Sequence, residues 1–140
     1  MSGRFFLDTN IFVYVFDTSA ARKALQADAL IRKAIETRSG VVSYQVVQEF
    51  FNVAFRRFSN PMNSADAEQY LATTFRPLLA VQSSQALYAE ALRIRARYRL
   101  AWYDSLIVAA AAEAGCDVLY SEDFQHGQEL GSTTIANPFL

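Results

Sequence analysis

Asp117-Val118-Leu119-Tyr120-Ser121-Glu122-Asp123 is a short apolar run that breaks off into a hydroxyl and two acids. Such a run reads as a buried strand of a parallel sheet, and its acids then fall at the strand's carboxyl end, where ligand crevices of open α/β folds lie. The chain opens in the same way: Phe5-Phe6-Leu7 is apolar, Asp8 follows, and Ile11-Phe12-Val13-Tyr14-Val15-Phe16 lies just beyond. A lone buried carboxylate costs several kcal/mol, so something must compensate Asp8. If these two strands are neighbours, Asp8 and Asp123 converge.

Between them the sequence is mostly helical. Residues 20–37 have helical composition and Gly40 stops them, after which Val41-Val42 forms a brief strand. Over residues 44–58 the positions Tyr44, Val47, Phe51 and Phe55 recur at helical spacing, which leaves Gln45, Glu49, Asn52 and Arg56 on another, polar stripe. Pro61 breaks the chain, Ser64 caps a helix reaching about Phe75, Pro77 ends it, and residues 78–81 form a short strand. Ser84 caps the next helix, with Leu87, Ala91, Ile94 and Tyr98 as its apolar stripe. Residues 104–112 are apolar on every side apart from Asp104 itself, so this helix is central, and Gly115 closes it. Residues 133–136 make a last strand. Short apolar strands alternating with helices predict an α/β/α sandwich with a mainly parallel central sheet.

With 140 residues, 52% of them hydrophobic and 19% charged, the chain is expected to fold as one domain over residues 1–140. A net charge of −1 excludes a globally positive nucleic-acid-binding surface, so contacts to phosphates must be local or made through metal ions. One cysteine, Cys116, excludes an internal disulfide framework and a Cys-rich zinc site, and reads as a small core residue. The N-terminal residues reach Asp8 before an apolar signal core can form, and no apolar run approaches the roughly 18 to 20 residues of a membrane span. A cytoplasmic protein without membrane contact is the expectation.

Asp104 begins the all-apolar helix, so it too is an acid at the border of the core, and helices carrying Glu49 and Asp104 can complete a ring with Asp8 and Asp123. Taken singly, Asp104 also suits a helix N-terminus, Asp8 a turn with Thr9 and Asn10, and Glu49 a solvated helix face. Taken together, oxygen-only ligands suit Mg²⁺ or Mn²⁺, which activate water and neutralise charge on a scissile phosphodiester. Such ions also reconcile an acidic protein with a polyanionic substrate.

Phe6-Leu7-Asp8-Thr9-Asn10, Gln48-Glu49-Phe50, residues 103–111 before Gly115-Cys116-Asp117, and residues 119–127 (Leu-Tyr-Ser-Glu-Asp-Phe-Gln-His-Gly) together resemble the ordered motifs of PIN-domain nucleases, specifically VapC-type toxins of bacterial toxin–antitoxin pairs. The likeness spans nearly the whole chain. It implies a Mg²⁺- or Mn²⁺-dependent endoribonuclease on a sheet of about five strands, with RNA as substrate and a cognate antitoxin that holds the enzyme inactive. It also implies Asp8, Glu49, Asp104 and Asp123 as the catalytic and metal-holding acids. Asn10 would sit beside the first acid, Ser121 would orient the carboxylates, and Glu122 would be an extra acid supporting the cation.

Other residues weigh less. Arg93, Arg95, Arg97 and Arg99 crowd one helix end and suit either phosphate contacts or a solvated face. His126, the only histidine, is expected to make a structural hydrogen bond. Trp102 and Tyr103 can pack or stack on a base. Phe50, Phe51, Phe55 and Phe58 exceed one helix face and predict a second buried surface, covered by a homodimer or a bound partner. Aspartyl-phosphate phosphatases also place Asp after the first strand, but need a second Asp where this chain has Asn10, and a late lysine where it has only Lys23 and Lys33. A non-catalytic module whose acidic pocket docks a basic peptide is the remaining alternative.

Overall fold

The computed structural model describes residues 2–140. Both acid-terminated runs are strands, β1 (Phe5–Leu7) and β4 (Val118–Tyr120), and they pair in parallel with Phe6 opposite Leu119. Around them lie β2 (Gly40–Ser43), β3 (Leu79–Val81), β5 (Glu129–Leu130) and β6 (Thr133–Ala136), in the order β3-β2-β1-β4-β6-β5. All neighbours are parallel except β5, which runs antiparallel to β6. The sheet therefore has six strands rather than about five. The added one is β5, whose two residues are too few to leave an apolar run in the sequence.

The chain steps from β1 to β2 to β3 in one direction and then returns past them to β4. Right-handed crossovers consequently place the first helices on one face and the last two on the other, which makes the three layers. The reversal falls between β1 and β4. At such a switch point the connections leave in opposite directions and open a crevice at the strands' carboxyl ends.

The first face carries α1 (Thr9–Tyr14), α2 (Ala21–Thr37), α3 (Tyr44–Arg56) and α4 (Ser64–Tyr70), the last continuing as a π-helical turn over Leu71–Phe75. Helix α1 forms from the apolar run after Asp8 and buries Ile11 and Phe12. In α3 the buried stripe is Val46, Phe50 and Ala54, not the expected Tyr44, Val47, Phe51 and Phe55, which lie partly or largely exposed. Two apolar stripes compete on this helix, and the one facing the densest aromatic packing wins: Phe50 stacks with Tyr70 and meets Phe12, Phe58 and Phe75 edge-on. Much of the phenylalanine surplus is thus internal, and Phe55 is the member that remains exposed.

Three boundaries differ from expectation. Helix α2 ends on Arg38, which takes the left-handed conformation at φ 57°, whereas Gly40 is the first residue of β2. A glycine is needed there because a Cβ would overlap Ala34 of α2 and come within 3.0 Å of the Phe5 ring. Asn63, not Ser64, caps α4, accepting the Asp66 N–H at 2.8 Å. On the other face α5 (Gln85–Tyr98) starts on the expected cap, Ser84, and α6 (Trp102–Glu113) is buried continuously from Ser105 to Ala111.

Candidate metal centre

Asp8 N–H donates to the Tyr120 carbonyl, carrying the β1–β4 ladder one residue past the strand so that Asp8 lies beside Ser121. The Asp8 side chain is buried, and both oxygens are engaged: Oδ1 accepts Thr9 N–H at 2.7 Å, and Oδ2 accepts the Ser121 hydroxyl at 2.8 Å. The same Ser121 oxygen accepts Asp123 N–H at 3.1 Å. One hydroxyl therefore bridges the first acid and the backbone of the last. Asn10 Nδ2 reaches Asp123 Oδ1 at 3.3 Å, which ties α1 to the turn after β4.

The other two acids arrive from helices. Thr9 donates its hydroxyl to Glu49 Oε1 at 2.7 Å, linking α1 to the middle of α3. Gln45, one turn earlier, donates to the Tyr103 carbonyl at 3.1 Å and lies 3.5 Å from Glu49 Oε2, so the start of α6 is joined to the same set. Asp104 follows Tyr103 in the first turn of α6, half-buried, where exposed helix N–H groups favour a negative charge.

Burial, helped by the charges of Asp123 and Glu49, pushes the Asp8 carboxyl up to about 7 against the opposing bonds from Ser121 and Thr9. Burial also raises Asp104, helped by the charge of Glu49, and raises Asp123, helped by Asp104 and Glu122. Among the described residues none of Asp8, Glu49, Asp104 and Asp123 forms an ion pair.

The donor set fits a hard divalent cation: every side chain is an oxygen donor, three resist ionisation, and nothing basic neutralises them. The acids are gathered without being closed onto one point, since among the described residues no three His, Cys, Asp or Glu side chains form a ready-made cage. Like charges with no counter-ion hold one another apart.

Glu122 does not join this hydrogen-bonded set. Its carboxylate takes the Tyr14 hydroxyl and, at 3.2 Å, the Lys23 ammonium. Lys23 in turn lies over the Tyr14 and Phe139 rings, and those rings meet edge-on at 5.0 Å. These contacts form a latch that fastens the Ser121–Asp123 turn to α1, α2 and the C-terminal residues. His126 accepts Asn137 N–H on Nδ1 at 2.9 Å, a structural bond. Arg93 is paired with Glu90 at 2.6 Å, and Cys116 is buried. Gln45, Tyr14 and Lys23 were not singled out from sequence; only the four-residue spacing of Gln45 and Glu49 hinted at one of them.

Solved structures of other proteins share the fold. FitAB bound to an IR36 DNA fragment superposes with a TM-score of 0.71 at 17% identity, over 97% of this chain and 96% of that one. FitAcB from Neisseria gonorrhoeae gives 0.63 at 16%, over 96% and 98%. Mycobacterium tuberculosis VapC20, described as a Sarcin-Ricin loop cleaving toxin, gives 0.60 at 20%, over 86% and 89%. No curated protein sequence gives a match. The PIN domain family model matches residues 5–128, from the first strand through all four acids, and this chain belongs to the PIN domain family.

Proposed function

We propose that this PIN domain is a Mg²⁺- or Mn²⁺-dependent endoribonuclease, the toxin of a toxin–antitoxin pair that a cognate antitoxin holds inactive. The observation that carries the reading is the cluster itself: carboxylates from four separate elements meet at the β1/β4 switch point, those of Asp8, Asp104 and Asp123 at raised pKa, and among the described residues none has a basic partner. Family membership supports nuclease chemistry, and the likeness to a toxin named for cleaving the Sarcin-Ricin loop supports RNA as the substrate.

Asp8, Glu49, Asp104 and Asp123 would hold the ion. Bound there, Mg²⁺ or Mn²⁺ supplies Lewis-acid activation of water and neutralises charge on the scissile phosphate. The chain's own groups prepare that site. Ser121 donates to Asp8 and so favours its ionised form, and it fixes the turn that carries Asp123. Thr9 sets the Glu49 carboxylate, Gln45 steadies it from behind, and Asn10 sets that of Asp123. Two copies of the chain and a cytoplasmic setting belong to the same proposal; among the described residues no helix is long and apolar enough to cross a membrane.

The test is cleavage of a panel of structured RNAs in Mg²⁺, Mn²⁺ or EDTA, wild type against Asp104→Asn. Cleavage that EDTA abolishes and Asp104→Asn lowers about 100-fold or more supports the proposal. A folded Asp104→Asn protein cleaving as fast as wild type refutes it. If calorimetry shows no Mn²⁺ binding that Asp8→Asn abolishes, the acids are instead a dock for a basic peptide.

A further inference from the structure

Beside the acids lies a cavity of about 540 Å³ that shares only Gln45 with the chemistry above. Its walls include Tyr44, Gln45 and Gln48 from the start of α3, Tyr88 from α5, and Trp102 and Tyr103 from the start of α6, with Ser83 and Leu106 completing them. The position is tied to the reaction centre by covalent and hydrogen-bonded links. Tyr103 precedes Asp104, and the Gln45 side chain spans from the Tyr103 carbonyl to Glu49.

The lining combines planar rings with amides and contains no charged side chain. Tyr88 and Trp102 lie 6.4 Å apart with their planes inclined by 33°, and Tyr103 and Tyr88 are 65% and 40% exposed. Gln45 is only 4% exposed and its amide is held by the Tyr103 carbonyl and Glu49, which leaves the exposed Gln48 as the amide open to a ligand. A phosphate finds no cation here. A flat neutral ring with N–H and C=O groups on its edge finds both faces and an amide to read it. We propose that this cavity is a nucleobase subsite, in which an unstacked base of single-stranded or loop RNA next to the scissile phosphate stacks on Tyr103 and Tyr88 while the exposed Gln48 amide contacts its edge. The proposal rests on the nuclease reading, which it deepens by naming where the substrate is gripped.

The geometry supplies its own reporter, because Trp102 is the chain's only tryptophan. Free adenosine and uridine, which carry no phosphate, are titrated in EDTA, and Trp102 fluorescence is followed. Saturable quenching is expected, with ribose 5-phosphate inert. Affinity should weaken roughly 5-fold or more in Tyr103→Ala and Tyr88→Ala, whose exposed positions leave the fold intact. In the RNA assay Tyr103→Ala raises KM while kcat changes little. Absence of quenching overturns the proposal, as does quenching that neither variant weakens. So does light scattering that finds a wild-type dimer which both variants dissociate, because a second copy then covers this face. If nucleosides quench as expected yet no RNA is cleaved under any condition, the subsite stands and the nuclease assignment falls.

Discussion

Removing the charge at Asp8 should stabilise the metal-free protein, the reverse of what most core substitutions do. Burial holds its carboxyl at about 7 in the folded chain, against 3.8 unfolded. Between those values the folded state binds the proton and the unfolded state does not, so stability is full below about pH 4 and is lost as pH rises to about 7. Roughly three pKa steps at 1.36 kcal/mol each amount to about 4 kcal/mol at pH 8. Asp8→Asn keeps the acceptor for Thr9 N–H but turns an amide donor towards Ser121, whose hydroxyl must find another acceptor, at a cost of about 1 kcal/mol. The variant should therefore be about 3 kcal/mol more stable than wild type at pH 8 in EDTA, a rise in Tm of about 10 °C, with the gap closing to within about 1 kcal/mol near pH 4.5. Thermal unfolding across pH measures this directly. Adding Mn²⁺ at about a hundred times its Kd should raise wild type by about 2.7 kcal/mol and leave Asp8→Asn unchanged. An Asp8→Asn protein no more stable than wild type at pH 8 in EDTA would show that Asp8 carries no uncompensated buried charge, and one that Mn²⁺ stabilises equally would show that Asp8 does not hold the ion.

Three further expectations follow from the same contacts. Ser121→Ala removes the hydroxyl that favours ionised Asp8, so Mn²⁺ affinity by calorimetry should fall roughly 10- to 100-fold, and the acid limb of the cleavage profile should move to higher pH. Gly40→Ala forces β2 away from Ala34 and should destabilise by about 1–3 kcal/mol in denaturant titration; an unchanged midpoint contradicts the close approach. Lys23→Ala opens the latch on Glu122, but the lysine is exposed and its ion pair is screened by solvent, so it adds little to global stability. The change should instead appear as faster amide exchange at residues 121–123.

The elements legible in the sequence were those whose burial is one-sided and dense. β1 and β4 are apolar runs cut by acids, and α6 is apolar all round, so no competing assignment existed for them. Helix α3 was legible as a helix but not in its orientation, because Val46-Phe50-Ala54 and Val47-Phe51-Phe55 offer two stripes of similar apolarity, and only the aromatic cluster built by α1 and the turn after α4 chooses between them. β5 was invisible, since two residues carry no period. Glu122 shows the same division at the site: its place beside Asp123 suggested a role with the cation, and the direction of its side chain was settled by Lys23, 99 residues away.

Local chemistry in the chain determined that acids would stand at the carboxyl ends of buried strands, because strand, turn and carboxylate are neighbours along the backbone. Only the folded molecule decided which acids share a hydroxyl, which are insulated enough to resist ionisation, and which is drawn off by a lysine. Those properties depend on side-chain direction and on the water excluded by packing, and both are set by residues remote in sequence.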